Sequence, residues 1–168
     1  MTGDYANADW GIYNAISNGG NESGMWRTLT NDEWMYIVSG RIDAASKLGP
    51  ATVNDVVGLV LLPDNWVLPN EITFYSGFAN AAGYRTNKYS ASEWAIMEQN
   101  GAVFLPACGY RYITDEPKDT VYGYYWSSIA KDENFAYSFR LSCCGIGISD
   151  TRMHRYEGCS VRLVQDVE

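Results

Sequence analysis

One histidine serves the whole chain of 168 residues. Any Ser-His-Asp or Cys-His arrangement would have to use it, yet His154 stands between Arg152 and Arg155 with no orienting partner in sight. It reads as a solvated or ligand-contacting side chain, not a base. Cations are scarce as well. Twelve Lys and Arg face 20 Asp and Glu, a net charge of −8, and phosphate contacts need clustered cations. Nucleic acid is therefore not an expected partner, and the same deficit argues against docking on anionic membranes. No apolar stretch approaches the roughly 18 residues of a membrane span, so no direct insertion is expected. Met1-Thr2-Gly3-Asp4-Tyr5 has no basic n-region and no apolar h-region after it. A start this abrupt also fits the C-terminal domain of a longer protein.

Other shortages exclude particular chemistries. Four cysteines stand at Cys108, Cys143, Cys144 and Cys159, without a C-x-x-C and with only His154 near, so no metal site of the zinc type is expected. Adjacent Cys143 and Cys144 would point to opposite faces of a strand and make poor partners for each other. A disulfide framework, and with it the redox compartment, stays open. Gly145-x-Gly147 lacks the following Gly or Lys of a phosphate-binding loop. Carboxylates are plentiful, but no spacing singles out an acid/base pair. No cofactor is expected and no catalytic residue is assigned.

Aromatics and glycine are abundant: 6 Trp, 13 Tyr, 5 Phe and 16 Gly against five Pro. With 46% hydrophobic and 19% charged residues, this is the composition of one globular domain over 1–168 with a sizeable core. Thr30-Asn31-Asp32-Glu33 and Ser90-Ala91-Ser92-Glu93 each place a hydroxyl three residues before a Glu, the capping-box signature of a helix start. Trp34, Ile37 and Val38 continue the first, and Trp94 and Met97 the second, at helical spacing. Gly40 and Gly101 mark the stops. A shorter helix is predicted over 7–17. Leu59–Leu62 and Val103–Leu105 read as short buried strands, 122–128 and 135–141 as a hairpin around a charged turn at 131–134, and Ser160–Val164 as a half-buried strand of period two. The stretch 63–88 reads as a long loop, which is functional or needs bracing. Few helices, short strands and long connections define an α+β fold. Trp26, Trp34, Trp94, Trp126, Leu61, Phe104, Val161 and Leu163 are the expected core.

Several of these stretches together resemble a known family. Trp26–Trp34 (WRTLTNDEW) looks like the strand-to-helix motif of the formylglycine-generating-enzyme type of C-type-lectin fold. Gly123-Tyr124-Tyr125-Trp126-Ser127-Ser128 and Gly158-Cys159-Ser160-Val161-Arg162-Leu163-Val164 look like motifs of gut Bacteroides-type surface proteins sharing that fold. The resemblance runs from about Tyr5 to Asp166. It implies a C-type-lectin-like domain with two main helices, short antiparallel strands and long irregular loops. More narrowly, the chain resembles the variable proteins of diversity-generating retroelements, which include phage tropism determinants. In that family, mutagenic reverse transcription at template adenines varies surface positions near the C-terminus, and the accessible codons exclude Lys, Glu, Gln, Met and Trp. Here Arg140–Tyr156 reads RLSCCGIGISDTRMHRY and contains one such residue, Met153. Its pattern follows neither strand nor helix period, although strand-like segments flank it.

The resemblance implies recognition, not catalysis, by a virion- or cell-displayed module that binds a protein or glycan on a cell surface. Homo-oligomers occur among such proteins. The expected contact residues are Tyr137, Ser138, Arg140, Ser142, Cys143, Cys144, Ile146, Ser149, Thr151, Arg152, Met153, His154 and Tyr156. Tyr, Ser, Arg and His suit this role, since they give adaptable contact area at modest entropic cost on a rigid scaffold. Two alternatives stand beside this reading. Calcium-binding lectins of the wider fold use Glu-Pro-Asn and Trp-Asn-Asp segments. The nearest strings here are Leu68-Pro69-Asn70-Glu71 and Trp126-Ser127-Ser128, and two serines replace calcium ligands poorly. Asp64, Asn65 and Glu71 read as turn chemistry rather than an ion site. The related oxidases use a cysteine pair. Cys143 and Cys144 do not match a framework pair, and nothing in the sequence around Cys108 and Cys159 points to an activated thiolate.

Overall fold

The structure, a computed structural model, describes residues 9–17, 19–77, 83–113, 116–142, 145–147 and 152–166. In chain order these form α1 (Trp10–Tyr13), β1 (Arg27–Thr28), α2 (Asn31–Met35), a π-helix (Tyr36–Gly40) and a 3-10 turn (Ala44–Lys47). Next come β2 (Leu48–Val53), β3 (Val56–Leu61), α3 (Gly83–Thr86), β4 (Lys88–Tyr89), α4 (Ala91–Gln99) and β5 (Val103–Pro106). The last third is all strand: β6 (Tyr110–Arg111), β7 (Pro117–Lys118), β8 (Tyr122–Ala130), β9 (Phe135–Ser142), β10 (Gly145–Gly147), β11 (Arg152–His154) and β12 (Leu163–Val164). The protein is α+β. Among the described residues, no helix is long and apolar enough to cross a membrane.

Both capping boxes form. The Thr30 hydroxyl accepts from Glu33 N–H at 3.2 Å, and Glu33 Oε2 accepts from Thr30 N–H at 2.8 Å. Ser90 and Glu93 repeat the exchange at 3.3 and 2.8 Å. The second helix stops at Gly101, whose φ of +88 suits glycine. The first also ends at Gly40 but widens on the way. Arg41 N–H reaches back five residues to Tyr36 C=O at 3.0 Å, and the Ser39 hydroxyl donates to Met35 C=O at 2.9 Å. The helix predicted over 7–17 is a single turn, α1, where the described residues begin. A Cβ on Gly11 would stand 2.5 Å from Trp26 C=O, so this turn is pressed against the strand entrance.

Two sheets carry the core. The first has the order β4-β2-β3-β5, with β2–β3 joined by a hairpin through Asn54 and Asp55, both at positive φ. It is covered on both faces, which explains the unbroken apolar run Leu59–Leu62. Leu59 and Leu61 face one way, with Leu48, Leu105, Trp34, Tyr125, Phe139 and Leu141. Val60 and Leu62 face the other, with Ala51, Val53, Ile72, Tyr89 and Met97. The second sheet is β8-β9, with β10 and β11 sharing the other side of β9. Trp34 stacks on Phe139 at 4.7 Å between the sheets, and the Tyr125 hydroxyl donates across to Pro106 C=O at 2.7 Å.

The long connection after β3 is braced by one buried amide. Asn87, 1% exposed, donates to Pro50 C=O at 2.9 Å and Tyr75 C=O at 2.8 Å, and accepts from Tyr75 N–H at 2.9 Å. The Tyr89 hydroxyl adds a bond to Thr73 C=O at 2.7 Å.

The expected core needs correction at its C-terminal end. Trp34 and Leu61 are buried, while Trp26, Trp94, Trp126, Phe104 and Leu163 are half-buried. Val161 is 53% exposed. The half-buried strand expected over Ser160–Val164 reduces to Leu163–Val164, paired with β1. Ser160 bridges Tyr125 of β8 instead. The chain changes partner between these contacts, and Val161 and Arg162 face solvent where it does.

Candidate functional site

Strand alternation sorts the expected contact residues. Arg152 pairs with Tyr137, and His154 pairs with Phe135, so these four side chains share one face of β9–β11. It is the face that carries Phe139 and Leu141 into the core nearer the other end of β9. The hairpin turn before it is fixed by Asp132 Oδ1, which accepts from Asn134 and Phe135 N–H groups, each at 2.9 Å.

On this face, rings and cations form one row. Lys131 Nζ lies 5.3 Å over the Tyr137 ring, and the Arg152 guanidinium 5.1 Å over Phe135. Phe135 meets His154 at 4.2 Å, and His154 stacks on Tyr156 at 4.8 Å with 13° between planes. Tyr156 meets Tyr112 at 5.9 Å, and Lys118 Nζ lies 5.1 Å over Tyr112. Tyr156 is 62% exposed.

The backbone explains how distant segments meet there. Glu157 Oε2 accepts from His154 N–H at 2.8 Å, and Glu157 N–H returns to His154 C=O at 2.9 Å, which closes the turn bearing Tyr156. Gly158 then exchanges two bonds with Arg111, at 2.8 and 2.9 Å, which brings Tyr112 alongside. A Cβ on Gly158 would press on Arg111 Cβ at 3.1 Å. Pairing of β6 with β7 sets Lys118 beside Tyr110. Ile113, next in line, is 81% exposed at φ +59, a costly backbone for a β-branched residue. The Tyr156 hydroxyl titrates above its usual range, mainly through desolvation and then through Tyr112.

The single continuous surface expected from Tyr137 to Tyr156 is thus divided. Tyr137, Arg152, His154 and Tyr156 come together. Met153 alternates with its neighbours and pairs with Ala136. Ser138 is buried at 6%, so it is not an exposed contact residue. It pairs with Trp126, and Arg140 with Tyr124, on the opposite face of β9. There Arg140 lies 5.5 Å over the Tyr122 ring, and Tyr110 packs edge-on against Tyr124 at 5.0 Å. The reason is simple: residues 135–142 are regular strand, so neighbours along it cannot share a face. Ile146 has a register position opposite Leu141, and Ser142 one opposite Tyr122 and Gly145. Cys143, Cys144, Ser149 and Thr151 lie outside the described residues.

Four members of the row were not expected: Tyr112, Lys118, Lys131 and Phe135. The aromatic alternation in Tyr110-Arg111-Tyr112 was a signal for one. No local signal brings it next to Tyr156, since that contact depends on Arg111–Gly158 pairing across 47 positions of chain.

Other chemistry is accounted for locally. Cys108 and Cys159 are free thiols, and burial pushes Cys159 up to about 12, with Glu157 adding to it. Asp64 is engaged by Lys47 at 3.0 Å and Arg41 at 3.3 Å. A concavity of about 250 Å³ lies between Ile12, Tyr13, Thr30 and Ile129. The carboxylate in its wall, Asp9, already accepts from Thr28 N–H, the Thr28 hydroxyl and Gly11 N–H. Among the described residues, no group of three or more His, Cys, Asp or Glu is placed to hold a metal ion.

Residues 81–164, half of the chain, match the family described as a domain of unknown function (DUF8237), and the chain belongs to that family. The matched span takes in α4, the second sheet and the whole of the row. No curated protein and no solved structure matches the chain.

Proposed function

We propose that this chain is a C-type-lectin-like recognition domain, displayed on a virion or bacterial surface, whose ligand-contacting face centres on the row from Lys131 to Lys118. A diversity-generating retroelement varies positions in and around that face. One observation carries this reading: Tyr137, Arg152, His154 and Tyr156, expected as contacts from the sequence, stand in line with the scaffold rings Phe135 and Tyr112. The two capped helices, the short antiparallel strands and the braced long loop agree with the lectin-type expectation.

The chemistry follows from the side chains. Aromatic faces offer large contact areas with few rotamers to fix, and flanking cations add attraction for acidic or hydroxyl-rich groups. The bonds of β9–β11 and the Arg111–Gly158 exchange are backbone bonds, so side chains can change while the frame stays. A thiol oxidase is disfavoured, because the Cys159 thiol stays protonated near neutral pH and Cys108 is not bonded to it.

Two experiments test this. The neighbouring DNA is expected to hold an imperfect repeat of the gene's 3′ end, differing at template adenines, beside a reverse-transcriptase gene. Without that repeat, the reading shifts to an adhesin of fixed specificity. Screening the chain against arrays of cell-surface glycans and proteins is expected to return a ligand. Arg152→Ala and Tyr156→Ala are each expected to bind it about tenfold more weakly, as anchors of an interface do, with unchanged melting. Undiminished binding by both variants would sink the assignment of this face.

A further inference from the structure

The segment after α2 leaves regular geometry three times in a dozen residues. Its helix widens into the π-turn Tyr36–Gly40, a form found mostly at functional positions. Arg41 then runs extended, and Asp43 turns left-handed at φ +54. This path lays two cations side by side in the interior. The side chains of Arg41 and Lys47 are 8% and 16% exposed. Both reach the same acceptor, Asp64 Oδ1, whose side chain is 60% exposed. Lys47 Nζ also donates to Ile42 C=O at 2.8 Å, and Arg41 Nη1 to Leu62 C=O at 2.8 Å.

Arg41 therefore uses one nitrogen and leaves two. Its Nε and Nη2 are buried and, among the described residues, have no hydrogen-bond partner. These two atoms present parallel N–H bonds along one edge of the guanidinium, the edge that grips a carboxylate with two bonds. A buried, unpaired donor costs free energy, and a buried charge without a counter-ion costs more. The charge is also incomplete. Two cations share one carboxylate, and that carboxylate is the exposed member of the three. One positive charge is left over in an otherwise acidic chain.

We propose that the Nε/Nη2 edge of Arg41 is a binding site for the carboxylate of a small monocarboxylic acid. A single carboxylate satisfies both orphan donors and neutralises the Arg41–Lys47–Asp64 cluster. A phosphate dianion would overshoot the charge and is the poorer ligand. Asp64, with the exposed Ile42 beside Arg41, marks the side on which the cluster meets solvent. Both nitrogens are shut off from water, and binding therefore requires the atoms that cover them to part and admit the anion. The bound pair is then dehydrated, which strengthens it. This site is independent of the row on the second sheet.

The test uses the intact chain and acetate or propionate as probe. The Arg41 Nε–H resonance, assigned by its loss in Arg41→Lys, is expected to shift saturably with acetate and propionate. It is expected to shift less with phosphate, and not at all with chloride at equal ionic strength. Arg41→Lys lacks the two-donor edge, and a resonance of its neighbour Ile42 is expected to report binding weakened about tenfold or more, the scale of a charge-assisted bidentate pair. Asp64→Asn keeps an oxygen acceptor at an exposed position while removing its charge, and its urea midpoint is measured beside the parent's to establish that it folds. It removes the competing carboxylate and is expected to tighten acetate binding several-fold. Absence of a saturable acetate shift, or acetate affinity unchanged in Asp64→Asn, overturns the proposal. The second variant decides the matter even if Arg41→Lys folds poorly.

Discussion

Two arginines near the two ends of the same short helix are treated in opposite ways. Arg27, just before α2, spends its whole guanidinium. It bonds Glu33 at 2.6 and 2.8 Å and Asp166 through Nε and Nη2. One side chain thereby ties β1, the start of the helix and the segment after β12 together. Arg41, just after the π-turn, is the more deeply buried of the two, yet it leaves its two-donor edge unused. A fold that can satisfy one arginine so fully has the means to satisfy the other. The contrast separates a fully bonded guanidinium from a half-bonded one.

Several measurements can break or sharpen this contrast. The largest effect is expected from Arg27→Ala, which removes the shared cation of Glu33 and Asp166 at once. Loss of charged hydrogen bonds of this kind costs about 2–3 kcal/mol, read as a fall in the urea midpoint. Arg41→Met is expected to stay within about 1 kcal/mol of the parent, in either direction, since apolar replacement of a half-paired buried ion often costs nothing. A loss on the scale of Arg27→Ala would show that Arg41 is structural after all. The third effect is in pH. The Arg27 hydrogen bond holds Glu33 down to about 2, helped by the Thr30 N–H and hydroxyl. A depressed carboxylate stabilises the fold above its unfolded pKa and stops doing so as pH falls through the folded value. Stability in urea is therefore expected to decline from about 4.5 toward about 2, and Glu33→Gln to flatten that slope. A slope unchanged in Glu33→Gln would place the acid-sensitive group elsewhere. The smallest change is expected from Asp166→Asn, because that partner is exposed and screened. If it destabilises more than Glu33→Gln, the ranking of Arg27's two partners is reversed.

The chain was legible where the signals were local. Both capping boxes, the Gly101 stop, the apolar strands and the charged hairpin turn are short-range patterns, and each formed. The hairpin at Asn54-Asp55 carried an equally local mark, two turn residues between Val53 and Val56, and went unread. What misled were patterns whose meaning depends on partners far away. Ser160–Val164 has period two, but its residues are divided between β8 and β1, so Val161 ends outside. Tyr137 to Arg140 is sequence-adjacent, and pleating divides it between two faces. The row depends on β6 meeting the turn after β11, which no window of sequence encodes. The half-pairing of Arg41 was equally invisible, because an unmade bond leaves no pattern.

Asn87 sets a further property of the molecule. The segment from Ile72 to Gly77 is held on the first sheet by that amide, the Tyr89 hydroxyl, the Gly77 N–H bond to Leu48 C=O and the buried Ile72, while the strands beneath have their own ladders. Such a construction behaves as a latch. Local opening of this segment would leave the ladders of the first sheet intact, and amide exchange is expected to register two tiers of protection in one chain. Asn87→Asp keeps the shape but removes the two N–H donors, so it would leave the latch undone on a folded protein.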